Sequence, residues 1–219
     1  MNLRSINIFG ITGGIGNSFL NKIKDKNIEI NGFYNNNIKL AAEIAINNSH
    51  VTLKKLDLSD SSTLQNIKVP NCEGILYVVG RAHFGKNFFD FSEKDLFLQI
   101  NLNISALLII LNKIISNENC SLKRFVIVSS FHPDKIDSLY HTIKSLQDRL
   151  MEILKDQLTE KGIGLSIIKT GWVDTGMYKE YQEQTEKTVN KIVSPDVIAD
   201  ICVKEFEETK LYSIKECIP

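Results

Sequence analysis

Tyr140-His141-Thr142-Ile143-Lys144 sets a phenol and an ammonium four positions apart, so on a helix both side chains project from one face, one turn apart. That pairing suits proton transfer to a carbonyl oxygen. A phenol with a solution pKa of about 10 becomes effective near neutrality only if a cation stabilises its phenolate, and Lys144 can supply that cation. Upstream, the apolar run Phe125-Val126-Ile127-Val128 ends in Ser129-Ser130. A hydroxyl there, with Ser130 favoured, can hold the reacting oxygen near the phenol, a preorganised contact of the kind that lowers barriers by several kcal/mol. A third constellation lies near the N-terminus, where Phe9-Gly10-Ile11-Thr12-Gly13-Gly14-Ile15-Gly16 joins a short β-branched run to a helical pattern. In that context glycines permit a tight turn, close approach of backbone N–H groups to a pyrophosphate, and close packing of helix on strand. The spacing fits G-x-x-x-G-x-G through Gly10, Gly14 and Gly16, and G-x-x-G-x-x-G through Gly10, Gly13 and Gly16.

Positioning these groups requires a scaffold, and the rest of the chain supplies one. Short β-branched runs alternate with longer segments whose apolar residues recur at three- and four-residue spacing, the pattern of a parallel sheet with helices on both faces. Strands are predicted at residues 6–9, 28–33, 51–56, 74–79, 124–129 and 164–169, and helices at 15–24, 38–47, 93–116, 139–161 and 195–208, with a candidate short helix at 59–64. The predicted fold class is α/β, a Rossmann-like doubly wound parallel sheet in a three-layer αβα sandwich, with residues 1–219 as a single domain. A composition of 43% hydrophobic and 24% charged residues excludes disorder and coiled coil. Lys plus Arg and Asp plus Glu are 26 each, so no net field gathers nucleic acid or an anionic membrane, and neither is expected as a partner. The longest strongly apolar stretch, 104–111, is far shorter than the roughly 20 residues of a membrane span. Cys72, Cys120, Cys202 and Cys217 are widely spaced, with no C-x-x-C pair and no His at metal spacing. They read as reduced thiols of a cytoplasmic protein without a metal.

Taken in order, these motifs resemble the short-chain dehydrogenase/reductase family, whose compact members carry the first of the two glycine spacings. The resemblance runs from Ile6 to about Val203. It implies hydride transfer between a nicotinamide and a carbonyl or alcohol carbon. Tyr140 would be the general acid or base, Lys144 would lower its pKa and bind the nicotinamide ribose, and Ser130 would position the substrate oxygen. Asn101, in Gln99-Ile100-Asn101-Leu102, would support a water in a proton relay. The dinucleotide-binding set implied by the family comprises Gly10, Thr12, Gly13, Gly14, Ile15 and Gly16 in the turn, Asp57 as the adenine contact with Leu58 beside it, Gly80, and Tyr140 with Lys144. Gly171, Val173 and Thr175 complete it, in a segment from Lys169 to Met177 that resembles the family's P-G-x-V-x-T-x-M with Thr170 in place of the proline. Thr175 is the implied partner of the nicotinamide carboxamide.

The chain departs from the family in three places. Tyr77-Val78-Val79-Gly80 stands where the family has N-N-A-G, removing the Asn contacts that brace the central sheet. Phe9 replaces a common Thr, which removes a side-chain hydrogen bond from the turn. The loop between Ser130 and Tyr140 is short and contains Phe131-His132-Pro133. Cofactor choice is marked by the end of the second strand, where an acidic residue would favour NAD and an arginine NADP. Here that end is Phe33-Tyr34-Asn35-Asn36-Asn37, whose neutral amides with Lys39 can accept a phosphate, so the reading leans to NADP over NAD. Substrate selection falls to residues 81–86, with Arg81 and His83, and to 176–192, where Glu180, Gln182, Glu183, Gln184, Glu186 and Lys187 point to a small, polar carbonyl or alcohol substrate. The unusually apolar helices at 93–116 and 139–161 point to pairing in a homodimer or homotetramer. Two other readings fit parts of the sequence. One is a non-catalytic NAD(P)-binding regulator or scaffold, supported by the altered segment at 77–79. The other is a sugar-nucleotide-modifying enzyme, supported by the alternative glycine spacing.

Overall fold

The computed structural model describes residues 2–24, 26–82, 89–131 and 138–218. His83, the rest of 83–88, and the His132-Pro133 pair within 132–137 lie outside the described residues. The chain runs β1 (Ser5–Phe9), α1 (Gly14–Ile23), β2 (Glu29–Tyr34), α2 (Ile38–Asn47), β3 (Val51–Lys55), α3 (Ser61–Gln65) and β4 (Gly74–Tyr77). It continues α4 (Glu93–Ile100), a π-helical turn (Asn101–Ser105), α5 (Ala106–Ile115), β5 (Arg124–Ser130), α6 (Leu139–Glu160), β6 (Gly164–Thr170), α7 (Gly176–Thr185), α8 (Pro195–Glu207) and β7 (Tyr212–Cys217). The strands form one parallel sheet in the order β3-β2-β1-β4-β5-β6-β7. Strand order reverses between β1 and β4, which opens a crevice at the carboxyl ends of the strands, where such sheets bind ligands.

Alternation along each strand explains the three layers, because successive side chains point to opposite faces. Phe9, Tyr77, Phe125, Ile127 and Ile167 pack on Leu107, Ile110, Leu111 and Ile114 of α5 and Met151 of α6. Ile8, Leu76, Val126, Val128 and Ile168 pack the opposite way, on Phe19, Leu20 and Ile23 of α1 and Ile198, Ala199 and Cys202 of α8. Burying each such side chain contributes about 1.5–3 kcal/mol. The two helices that matter most to the site start on side-chain caps. Ser92 and Asp95 form a capping box at α4, and the Ser138 hydroxyl accepts the His141 N–H at α6.

Three features differ from the sequence reading. Strand β7 was not expected, because its residues lack an apolar run: as an edge strand it leaves Ile214 40% exposed and carries Lys215 and Glu216 in its middle. Helix α7 was not expected either, because its segment is dominated by polar residues. The helix expected at 93–116 is broken by the π turn at Asn101–Ser105. The segment Glu93–Ile115 is long and apolar enough, by length and composition, to cross a bilayer, at a mean hydropathy of 1.6. The eight-residue apolar run did not suggest this. In the fold, Ala106, Leu107, Ile110, Leu111 and Ile114 of that segment belong to the core beneath the sheet.

The departures at β1 and β4 have their own physical solution. Phe9 stacks on Phe33 with ring centroids 4.4 Å apart and planes within 7°, and Tyr77 lies 5.9 Å from Phe9. The Tyr77 hydroxyl, fully buried, donates to the Leu102 carbonyl in the π turn. A phenol therefore ties the central sheet to the helix from the segment where the resemblance would place bracing asparagines.

Candidate active site

Backbone alone shapes the glycine turn. Gly10 has a φ of 91°, in the left-handed region that favours glycine, and its carbonyl accepts the Gly13 N–H at 2.9 Å. A Cβ at Gly16 would come within 2.3 Å of that same carbonyl oxygen, so helix α1 can pack this close to the turn only because Gly16 has none. Helix α1 is capped by Gly13 without a side-chain bond, which leaves its first N–H groups for an anionic ligand. Thr12, Gly13, Gly14, Ile15 and Gly16 line a cavity of about 960 Å³. The Thr175 methyl closes over Gly14, where a Cβ would meet it at 2.7 Å.

Ser130 at the end of β5, Tyr140 in the first turn of α6 and Lys144 one turn further line that same cavity, with Gly80, Gly171, Val173 and Thr175. Burial pushes the Tyr140 phenol above its ordinary value; the Ser130 side chain, as its hydrogen-bonding partner, works against this, and the negative Asp148 adds to it. Lys144 is 2% exposed, and burial lowers its ammonium to about 8 against the opposing pull of Asp148. Its Nζ donates to Gln147 Oε1 at 2.9 Å and to the Val128 carbonyl at 3.4 Å. A Cβ placed on Gly80 would sit 3.8 Å from Nζ, so Gly80 forms the wall beside the ammonium. The Lys144 ammonium points to Gln147 and Val128, and burial holds the Tyr140 phenol protonated at neutral pH. Asp148 is itself buried and paired with Lys169 at 3.1 Å.

Four residues of the expected catalytic and dinucleotide-binding set do not line the cavity: Gly10, Asp57, Leu58 and Asn101. Gly10 acts through the turn it closes. At Asp57 burial raises the carboxyl, but the Ser59 hydroxyl and N–H and the Asn35 side chain outweigh it, so the net shift is downward. One of its oxygens accepts the Ser59 N–H at 2.9 Å and the Ser59 hydroxyl at 2.6 Å. Leu58 is 5% exposed, and its side chain packs in the core. Asn101 is the larger correction. Its amide donates to the Ser59 carbonyl at 2.8 Å, and its carbonyl accepts the Ala106 N–H across the π turn. The extra residue in that turn rotates the helix face, and Asn103, 0% exposed, points inward in its place. A helix read at uniform pitch could not reveal that rotation.

The cavity also has an aromatic side. Trp172, Met177, Tyr178 and Tyr181 line the cavity, with Trp172 and Tyr181 ring centroids 4.3 Å apart and Trp172 and Tyr178 5.8 Å apart. Glu180, Gln182, Glu183 and Gln184 share α7 with Met177, Tyr178 and Tyr181, and Lys187, past the end of the helix, lines the cavity as well. The signal was present as Tyr178 and Tyr181, three apart on one helix face, but the high content of Glu and Gln hid it. Arg81, on the opposite loop, pairs with Glu180 at 3.7 Å.

By sequence, the chain matches no protein-family model and no curated protein. By structure it is similar to a short-chain dehydrogenase from Sphingobium yanoikuyae in complex with NADPH, with a TM-score of 0.82 and 18% identity over 97% of this chain and 87% of that one. It is similar to a short chain dehydrogenase family protein from Francisella tularensis subsp. tularensis SCHU S4, with a TM-score of 0.79 and 17% identity over 99% of this chain and 97% of that one. It is also similar to a 4-hydroxyisoleucine dehydrogenase complexed with NADH, with a TM-score of 0.77 and 16% identity over 98% and 97%. The chain has the fold of the short-chain dehydrogenases/reductases.

Proposed function

We propose that the chain is an NAD(P)-dependent oxidoreductase of the short-chain dehydrogenase/reductase type, acting on a carbonyl or alcohol of a small substrate. The observation that carries this reading is a single cavity lined at once by the glycine turn, Ser130, Tyr140 and Lys144. The residues fit a nicotinamide dinucleotide. The turn is a cradle that a Cβ at Gly16 would fill, and its uncapped N–H groups suit a pyrophosphate. Lys144 and Tyr140 would hold the ribose, and Gly171, Val173 and Thr175, which line the same cavity, the carboxamide end. Bound there, the dinucleotide supplies or accepts the hydride. Ser130 then holds the substrate oxygen, Tyr140 gives its hydroxyl proton to that oxygen, and the Lys144 ammonium stabilises the phenolate left behind. A phenol kept protonated by burial is in the state that donates a proton during carbonyl reduction.

The aromatic wall of Trp172, Tyr178 and Tyr181 supports a substrate with a flat, apolar portion beside its carbonyl. Neutral Asn35, Asn36 and Asn37 support NADP over NAD, Asn37 itself lining the cavity. Exposed Phe97 and Leu108 on α4 and α5, with Leu146 and Ile153 on α6, support pairing of these helices in a homodimer or homotetramer. The free cysteines support a cytoplasmic setting.

The test is Tyr140→Phe, assayed with NADPH and NADH against a panel of aromatic and aliphatic aldehydes and ketones. Turnover is expected to fall roughly 100- to 10,000-fold, with dinucleotide affinity kept. A biological role untouched by that change would favour the non-catalytic regulator.

A further inference from the structure

Lys144 reaches the cavity from a helix whose next turn carries Gln147, and the two side chains meet: Nζ donates to Gln147 Oε1 at 2.9 Å. On its other side Gln147 Nε2 donates to the Asn103 carbonyl at 2.8 Å. The amide can stand only one way round, because a carbonyl only accepts and an ammonium only donates. Gln147 and Asn103 are 0% exposed, and Gln99 is 1% exposed. The Asn103 amide donates to the Gln99 carbonyl at 2.9 Å and to Gln99 Oε1 at 3.3 Å, and Gln99 Nε2 donates to the Arg81 carbonyl. A run of buried amides therefore ties the lysine to the π turn and to the strand-end segment after β4. The π turn accounts for the acceptor, since widening one helical turn displaces the hydrogen-bond ladder and frees a carbonyl for another partner.

We propose that Gln147 is a positioning residue for the reaction: its side-chain amide clamps the Lys144 ammonium to the Asn103 carbonyl, and so fixes the cation at the cavity wall beside Gly80. This rests on the oxidoreductase reading above. A lysine otherwise has long-chain rotamer freedom, and an ammonium this buried needs acceptors to remain charged. Gln147 supplies the shorter of its two hydrogen bonds, and Val128 the other. The charged and titratable groups around it are Asp148 on the same helix, Lys169 of β6 paired with Asp148, and the Tyr140 phenol. None of them takes the place of Gln147 as acceptor at Nζ.

The experiment uses Gln147→Leu and Gln147→Glu, with two readouts. The first is the titration midpoint of the Lys144 ε-carbon by NMR, assigned by its loss in Lys144→Met, on the protein without cofactor. Gln147→Leu is expected to lower that midpoint by about one to two units, and Gln147→Glu, with an acceptor and a negative charge, to raise it above wild type. The second is carbonyl reduction with NADPH: kcat is expected to fall roughly 10- to 100-fold in Gln147→Leu, with its pH limb following the NMR midpoint. If Gln147→Leu does not fold, the upward shift in Gln147→Glu still decides the matter. Midpoints unchanged in every variant that folds would overturn the proposal, leaving Gln147 as core packing. If wild type reduces no carbonyl while the Lys144 midpoint follows Gln147, the clamp stands and the assignment of function falls; the converse pattern sinks the clamp alone.

Discussion

The glycine turn and the lysine wall share one cavity but are made of different material. The turn offers backbone N–H groups and tolerates no side chain, since even a methyl at Gly16 would press to 2.3 Å from the Gly10 carbonyl. The lysine wall is built from buried polar side chains, Lys144, Gln147, Asn103 and Gln99, each hydrogen-bonded to the next residue in the run, with Asn103 Oδ1 left without a partner among the described residues. A backbone site is rigid because its sterics leave one conformation. A site of buried amides is rigid only as a connected network, and losing one member leaves another unpaired at a cost of about 1–3 kcal/mol.

That contrast orders the expected effects. The largest belongs to the backbone site. Gly16→Val should raise the dissociation constant for NADPH by roughly 100-fold or more, since neither the turn nor α1 can yield without opening the anion cradle. Calorimetric titration of the folded variant measures this. Affinity close to wild type would break the comparison, because the turn would then not be the phosphate site.

The side-chain site should show a smaller, graded effect that depends on pH. With Lys144 held at about 8, kcat/KM for carbonyl reduction should be level below that pH and fall about tenfold per unit above it, as the cation that stabilises the phenolate is lost. The same shift bears on stability. The folded value lies below the ordinary 10.5, so the unfolded chain binds more protons between about 8 and 10.5. The contribution of this group to unfolding free energy therefore rises with pH across that window and is lost as pH falls through about 8. Urea unfolding across the window should show the slope in wild type and lack it in Lys144→Met.

The same contrast explains what could be read from the sequence. The glycine turn, the six apolar strands and the Tyr140–Lys144 pair are local patterns, in which spacing within a few residues dictates the geometry, so they were legible. Asn101 was misassigned because a π turn adds one residue to a helical pitch, and the partners of that turn, Tyr77 and Gln147, lie far away in sequence. Gln147 carried no signal at all, since a glutamine on an amphipathic helix reads as a solvated residue until the fold buries it. Strand β7 and helix α7 were missed for want of apolar runs. The aromatic wall was hidden because its members sit among Glu and Gln, and only the α7 turn brings Tyr178 and Tyr181 onto Trp172.

The central claim is that this cavity holds a nicotinamide dinucleotide, and the chain carries its own reporter, since Trp172 is the only tryptophan and lines the cavity. Excitation of Trp172 during titration with NADPH, then NADH, should give saturable quenching with energy transfer to the reduced ring. One dinucleotide, NADPH by this account, should bind at least about tenfold tighter, a difference of about 1.4 kcal/mol. Absence of transfer with both, in protein shown to be folded, would contradict the account and leave the glycine turn a structural turn only.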